Sequence, residues 1–181
     1  TGSNNTAIGK EADVVSSNLT NATAIGNGAK VNQSNKIRLG NTNISVIEGA
    51  VAFSYPSDRR LKKDIVDTRY GLNTILELRP VDYQMKSNNL EQIGFIAQEL
   101  KPIVPEAVNG IEGDLEKGET LSVAYTTLIP VLTKAIQEQQ ALIQGQQELI
   151  KGQQESIKGQ DKVIQQLQKD METLKQKVAK G

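Results

Sequence analysis

The feature that most limits what this chain can fold into is a seven-residue apolar repeat near its C-terminus. Ile136, Ile143, Ile150, Ile157, Ile164, Met171 and Val178 follow one another at intervals of seven without a break. Three residues after each of the first six stand Gln139, Gln146, Gln153, Gln160, Leu167 and Leu174. In heptad terms, position a is β-branched or Met throughout, and position d is Gln for four layers and then Leu for two. A strict seven-residue period keeps one seam of a helix facing partner helices, so the stretch reads as a parallel coiled coil. About 50 residues at a 1.5 Å rise give a rod of roughly 75 Å.

The layers also bear on strand number. Ile at a with Leu at d favours a dimer, but Gln fills four successive d layers. Three amides can hydrogen-bond around an axis, or hold an ion or a water there, and polar layers fix register at a cost in stability. Gly145, Gly152 and Gly159 fall at position c, facing solvent, where each costs about 1 kcal/mol against Ala. A lone helix of this sequence is therefore weak, and a homotrimer is expected. The alternative is a solitary amphipathic helix lying on a globular core.

Composition agrees with burial between copies. The chain has 181 residues, only 37% apolar and 3% aromatic, too few large side chains for one sizeable core. Lys+Arg and Asp+Glu both total 21, so no net charge draws it toward nucleic acid or an anionic membrane. It has no Cys and no His, which removes disulfides, thiol nucleophiles, the usual general base and the commonest metal ligand. No cofactor and no metal site are expected, and the scattered acidic residues argue against structural Ca²⁺. No apolar run reaches the roughly 18 residues of a membrane span, so no membrane insertion is expected. The opening Thr1-Gly2-Ser3-Asn4-Asn5 reads as the interior of a longer protein.

Three zones follow, giving a mixed fold: a β-repeat at 1–51, a small α+β module at 52–130 and a coiled-coil helix at 131–181. In the first, Thr6-Ala7-Ile8-Gly9 returns as Thr23-Ala24-Ile25-Gly26, seventeen positions later, and Leu39-Gly40 marks a degenerate third copy. Each copy reads as a short strand closed by Gly, with Ala12/Val14 or Ala29/Val31 opening the next strand. Units so small must stack, as a β-roll or a trimeric β-solenoid; otherwise the zone is an Asn/Gly-rich linker. In the second zone, Leu72, Ile75 and Leu76 have helical spacing up to Pro80, and Val81, Tyr83 and Met85 alternate as a strand. A turn at Lys86-Ser87-Asn88-Asn89 then leads into a second, more buried strand from Ile93 to Ile96. Ala97 to Leu100 begins a helix stopped by Pro102 and Pro105. Asn109-Gly110 and Glu112-Gly113 are turn signals, and Leu121 to Val123 reads as a third strand. Pro130 fits the first turn of the long helix, where its missing N–H is no loss.

Taken alone, Ser57 reads as a helix N-cap and Arg59 to Lys63 as a solvated basic face. That basic run lacks the aromatic platform or recognition helix of a nucleic-acid site, so no nucleic-acid partner is expected. Its setting adds more. Pro56-Ser57-Asp58-Arg59-Arg60-Leu61-Lys62-Lys63-Asp64-Ile65 is followed by Ile93-Gly94-Phe95-Ile96-Ala97-Gln98-Glu99-Leu100 and by Val104-Pro105-Glu106-Ala107-Val108. Tyr125, Leu128, Ile129 and Pro130 then lead into the terminal helix. From about Tyr55 to Gln140 this order resembles the intramolecular chaperone domain, peptidase family S74, of endosialidase tailspikes and phage tail fibres. Residues 1–51 separately resemble the Ala-Ile-Gly repeats of β-roll heads in trimeric adhesins.

The resemblance implies a module that trimerises through its C-terminal helices and assists folding of the β-structure upstream. Many members cut themselves off with a Ser nucleophile and a Lys five residues later. Carried over, these are Ser57 and Lys62, with the scissile bond between Pro56 and Ser57. The enzyme implied is a single-turnover self-cleaving serine peptidase with no diffusible substrate. Residues five apart lie about 140° round a helix and on opposite faces of a strand, so a turn or a neighbouring subunit must join them. The leading expectation is a phage or phage-like fibre end. Its partners are its own copies, the upstream fibre domains and, through sequence before Thr1, a host-surface receptor. Its place is a virion tail fibre or an extracellular cell surface. The alternative is a non-cleaving trimeric bacterial surface adhesin tip; a self-processing membrane-tethered transcription factor ranks third.

Overall fold

A computed structural model describes residues 1–116 and 118–179. The chain divides into two compact units, Thr1–Thr68 with Leu76–Ile129, and Arg69–Ile75 with Pro130–Gly181.

The first unit opens with five short strands: β1 (Thr6–Ile8), β2 (Asp13–Val14), β3 (Thr23–Ile25), β4 (Lys30–Val31) and β5 (Ile37–Leu39). All their pairings are parallel. β1 pairs with β3 at an offset of seventeen, Thr6 opposite Thr23 and Ile8 opposite Ile25. β3 pairs with β5 at fourteen, Thr23 opposite Ile37 and Ile25 opposite Leu39, while β2 pairs with β4, Val14 opposite Val31. The repeat spacing is thus the register of the ladder. The second turn of the repeat is shorter because the chain needs fewer residues between β4 and β5 than between β2 and β3. At each corner the backbone enters the left-handed region. Asn4, Asn21 and Asn35 stand at φ 58°, 55° and 57°, a conformation that Asn tolerates better than most residues. The Asn21 side-chain amide donates to Asn35 Oδ1 at 2.9 Å, tying successive corners.

Small residues point inward. Leu19, Ala22, Ala24, Ala29 and Val31 form the core, with Ala12 and Val14 packed beside them. The larger Ile8, Ile25 and Leu39 stack on the outer side, 59%, 38% and 42% exposed. Full burial of each such side chain would be worth about 1.5–3 kcal/mol, so the repeat leaves part of its apolar driving force unused.

Residues 41–58 contain neither strand nor helix. A 3₁₀ turn follows at Arg59–Leu61, then helix α1 (Leu72–Glu77). Strands β6 (Val81–Gln84) and β7 (Glu91–Gly94) form an antiparallel hairpin with Val81 opposite Gly94. Its turn is closed by Asn89 N donating to the Met85 carbonyl at 2.8 Å, with Asn89 at φ 54°. Helix α2 (Ala97–Leu100) packs on a later strand, and a 3₁₀ turn at Pro105–Ala107 meets another at Tyr125–Thr127. Leu100, Val104, Ala107 and Leu128 are buried.

Two local expectations fail. Asn109-Gly110 is not a turn but the end of strand β8 (Val108–Gly110), paired with β9 (Leu121–Val123). Gly110 is needed at φ 97°, where a Cβ would strike the Thr120 carbonyl, so a turn-forming dipeptide closes a strand instead. Nor is Ile93 buried; it is 78% exposed, and the buried residue of β7 is Gly94. A hairpin of two strands covered on one face buries alternate residues, and the covered face carries Gly94 rather than Ile93.

In the second unit, helix α3 runs over Leu128–Val178, with Pro130 in its first turn. Glu138 of α3 accepts a hydrogen bond from Leu72 N at 2.8 Å, satisfying one of the free N–H groups at the start of α1. Gly71 leaves the room for that carboxylate, which a Cβ would strike. Residues 139–179 are exposed throughout, including every a and d position of the heptads from Gln139 to Val178.

A tight joint in the first unit lies where β7 meets the turn before α3. Phe95 N donates to Tyr125 Oη at 3.1 Å, and the two rings stack with centroids 6.1 Å apart. A Cβ on Gly94 would collide with that hydroxyl. Gly94→Ala is expected to cost about 1–3 kcal/mol by overpacking, and Tyr125→Phe about 1 kcal/mol for the lost hydrogen bond. Urea unfolding of the full chain measures both; a Gly94→Ala protein as stable as the native one would contradict this packing.

Candidate functional site

The site is built on the stretch from Tyr55 to Lys62. Pro56 fixes its own φ and biases Tyr55 toward extended backbone, so the chain reaches Ser57 without helical character. Asp58 remains extended, at φ −61° and ψ 136°, and acts as N-cap of the Arg59–Leu61 turn. Its Oδ1 accepts from Arg60 N at 2.8 Å. Two backbone bonds close the turn, Leu61 N to the Asp58 carbonyl at 3.0 Å and Lys62 N to the Arg59 carbonyl at 3.1 Å. Lys62 then leaves in extended conformation, at φ −120° and ψ 146°.

The consequence is that residues on either side of one tight turn face each other. Lys62 Nζ donates to Ser57 Oγ at 2.6 Å. The structure therefore brings together the two residues that the resemblance singles out, within one chain. It does not bring Lys63 or Arg59 to that hydroxyl: among the described residues neither makes a side-chain hydrogen bond or ion pair. Ser57 and Lys62 are both exposed in the single chain, as are Val51, Phe53 and Tyr55 just before them, the last two at 90%.

Asp58 is the residue that sequence reasoning passes over. The cap falls on Asp58, one residue later than the Ser57 suggested by residue type alone. Its carboxylate also grips the Arg60 guanidinium, with Nη2 at 2.7 Å and Nε at 3.1 and 3.2 Å from its oxygens. Arg60 holds the Asp58 carboxyl below its ordinary range, first through the side-chain bond and then through the Arg60 backbone N–H. Asp at the position before a short basic run, two residues ahead of Arg, is the available signal.

A comparison with protein families matches residues 57–109 to the family described as chaperone of endosialidase, peptidase S74. Over this segment the chain is similar to that family. The match begins on Ser57 itself and takes in the turn, the β6–β7 hairpin and α2, under a third of the chain. Within the matched segment, Arg79 and Glu99 pair at 2.5 and 3.0 Å, linking the residues just before β6 to α2. Both groups are well exposed, so the pair orders geometry more than it adds stability. Tyr83, whose hydroxyl donates to Gln92 at 2.9 Å, has its phenol pushed up by burial and by the neighbouring Tyr125.

The Asp58 cap has a pH signature. Its folded pKa lies below the ordinary 3.8, so the extra stability that the charged carboxylate gains from the Arg60 side chain and N–H is complete above that value and is lost as pH falls through the lower folded one. The Arg60 amide resonance should therefore titrate with a midpoint below 3.8, and Asp58→Asn should abolish that titration. A midpoint at or above the ordinary carboxylate value would contradict the capped turn.

Proposed function

We propose that this chain is the C-terminal assembly end of a homotrimeric fibre. Its chaperone domain and coiled coil bring three copies into register, and the domain then cuts itself from the β-structure upstream. The observation that carries this reading is the junction of a chaperone-of-endosialidase domain with a helix that leaves residues 139–179 exposed. Three such helices would bury Ile143, Ile150, Ile157, Ile164 and Met171 against one another, with the Gln layers setting register. Residues 1–51 are then the end of the fibre proper, a β-roll or trimeric β-solenoid whose outward Ile8, Ile25 and Leu39 meet neighbouring copies. Residues 52–130 are the chaperone module and 131–181 the coiled coil. A fibre of this kind belongs on a virion tail.

The cleavage step follows from the 2.6 Å contact between Lys62 Nζ and Ser57 Oγ. A neutral Lys62 takes the hydroxyl proton as Ser57 Oγ attacks the Pro56 carbonyl carbon. The Pro56–Ser57 C–N bond breaks, the released nitrogen takes the proton, and an ester joins the Pro56 carbonyl to Oγ. One water hydrolyses that ester, leaving a carboxylate on Pro56 and restoring the Ser57 hydroxyl. A lysine is neutral near neutral pH only when desolvated, and Lys62 is exposed in the single chain, so assembly must supply the cover.

Gel electrophoresis of freshly made protein tests this. Fragments 1–56 and 57–181 are expected, with one intact band for Ser57→Ala. Lys62→Ala should cut about 10²–10⁴-fold more slowly, and Lys63→Ala like the wild type. Ile150→Asp places carboxylates on the trimer axis and should remain uncut. Cleavage persisting in Ser57→Ala would mean an outside protease. An uncut wild type would favour the adhesin tip, a reading supported by the stiffness of the prolyl carbonyl under attack.

The chaperone role has its own test. Removing residues 140–181 should leave the β-repeat without register, giving no cooperative transition by circular dichroism. A truncated chain that unfolds cooperatively with β-type dichroism would contradict it.

A further inference from the structure

We propose that Asp58 is the positioning residue of the Ser57–Lys62 pair, acting through the side-chain cap that fixes the Arg59–Leu61 turn. The inference rests on the cleavage reading and adds to it the device that makes the site within one chain.

Nucleophile and base stand five positions apart, and neither helix nor strand would bring them together. The turn that does so has no buried residue, so packing within the chain does not hold it. Ordering its backbone costs conformational entropy, against which stand two backbone hydrogen bonds and the side chain of Asp58. That side chain acts on the backbone where the turn begins: Oδ1 takes up the N–H of Arg60, which would otherwise have no partner at the start of the turn. With the N–H fixed, the Asp58 and Arg59 carbonyls are aimed at Leu61 N and Lys62 N. Lys62 then departs on the same side as Ser57.

Asp58 does two things, and their settings rank them. Its ion pair with Arg60 joins a guanidinium whose side chain is 89% exposed, where water and salt screen it. Its bond to Arg60 N is local and independent of where the Arg60 side chain lies. The cap is therefore the working contact and the ion pair an accessory. The hydrogen bonds of the Asp58 carboxylate go to Arg60 and not to the scissile carbonyl or the Ser57 hydroxyl, so its effect on the reaction passes through the position of Lys62.

The test is the rate of cleavage in the full-length chain, with Asp58→Ala, Asp58→Asn and Arg60→Ala compared with wild type at equal assembly. Asp58→Ala should slow cleavage about five- to tenfold, the loss typical of a removed N-cap. Asn offers the same acceptor oxygen, so Asp58→Asn should cut within about twofold of wild type, and Arg60→Ala likewise. That rescue separates positioning by the cap from any role of the charge. In the Ser57→Ala background, which stays whole, amide exchange at Leu61 and Lys62 reads the turn directly. Asp58→Ala should speed it by the same factor and Asp58→Asn restore it. Wild-type cleavage rates and unchanged exchange in Asp58→Ala would overturn the proposal. So would Asp58→Asn cutting as slowly as Asp58→Ala, since the charge would then be what matters. If wild type is not cut at all, the cleavage reading falls, and exchange alone decides whether Asp58 holds the turn.

Discussion

The rest of this molecule depends on an apolar seam that one chain cannot cover. Along α3 a β-branched or Met side chain returns every seventh residue, and residues 139–179 are exposed. A 51-residue helix with three solvent-facing glycines has little intrinsic reason to persist in water. Burying the seam between copies, as proposed, would supply that reason. The same shortage recurs upstream, where the repeat encloses Ala and Val and leaves Ile8, Ile25 and Leu39 outside. Val51, Phe53 and Tyr55 continue it up to the edge of the candidate site. Each zone leaves several large side chains on its surface, an arrangement that suits the proposed fibre subunit.

Against that background the local chemistry at Ser57 is a contrast. Capping, a three-residue turn and an extended exit complete the Ser57–Lys62 contact inside one chain. Both side chains are nevertheless exposed in the single chain. On the proposed reading, geometry is local and activation collective: the pair would be laid out early and become competent when copies assemble over it. Such a division would keep an unassembled chain from cutting itself.

Legibility in the sequence follows the length scale of the forces. The heptads, the seventeen- and fourteen-residue repeat and the β6–β7 hairpin are readable because each repeats or brackets a simple periodicity. The β-repeat registers copy those spacings residue for residue. Spacing calls for either a turn or a neighbouring subunit to join Ser57 to Lys62, and residue type puts the cap of the turn on the wrong residue, since Ser and Asp are both good caps and only backbone geometry distinguishes them. Asn109-Gly110 misleads because a dipeptide's turn preference yields to pairing with a strand eleven or more residues away. The bond from Leu72 to Glu138 is beyond reach, since nothing local couples residues 66 positions apart.

The proposed reading requires that two further copies close the apolar surface of one chain. Light scattering on the purified full-length chain, coupled to size exclusion at micromolar concentration, measures this most directly. A trimer predicts a molar mass three times the 19.7 kDa of one chain, whether or not the backbone has been cut, provided the fragments stay together. A mass of 19.7 kDa, from a protein whose long helix is nevertheless intact by circular dichroism, would contradict it.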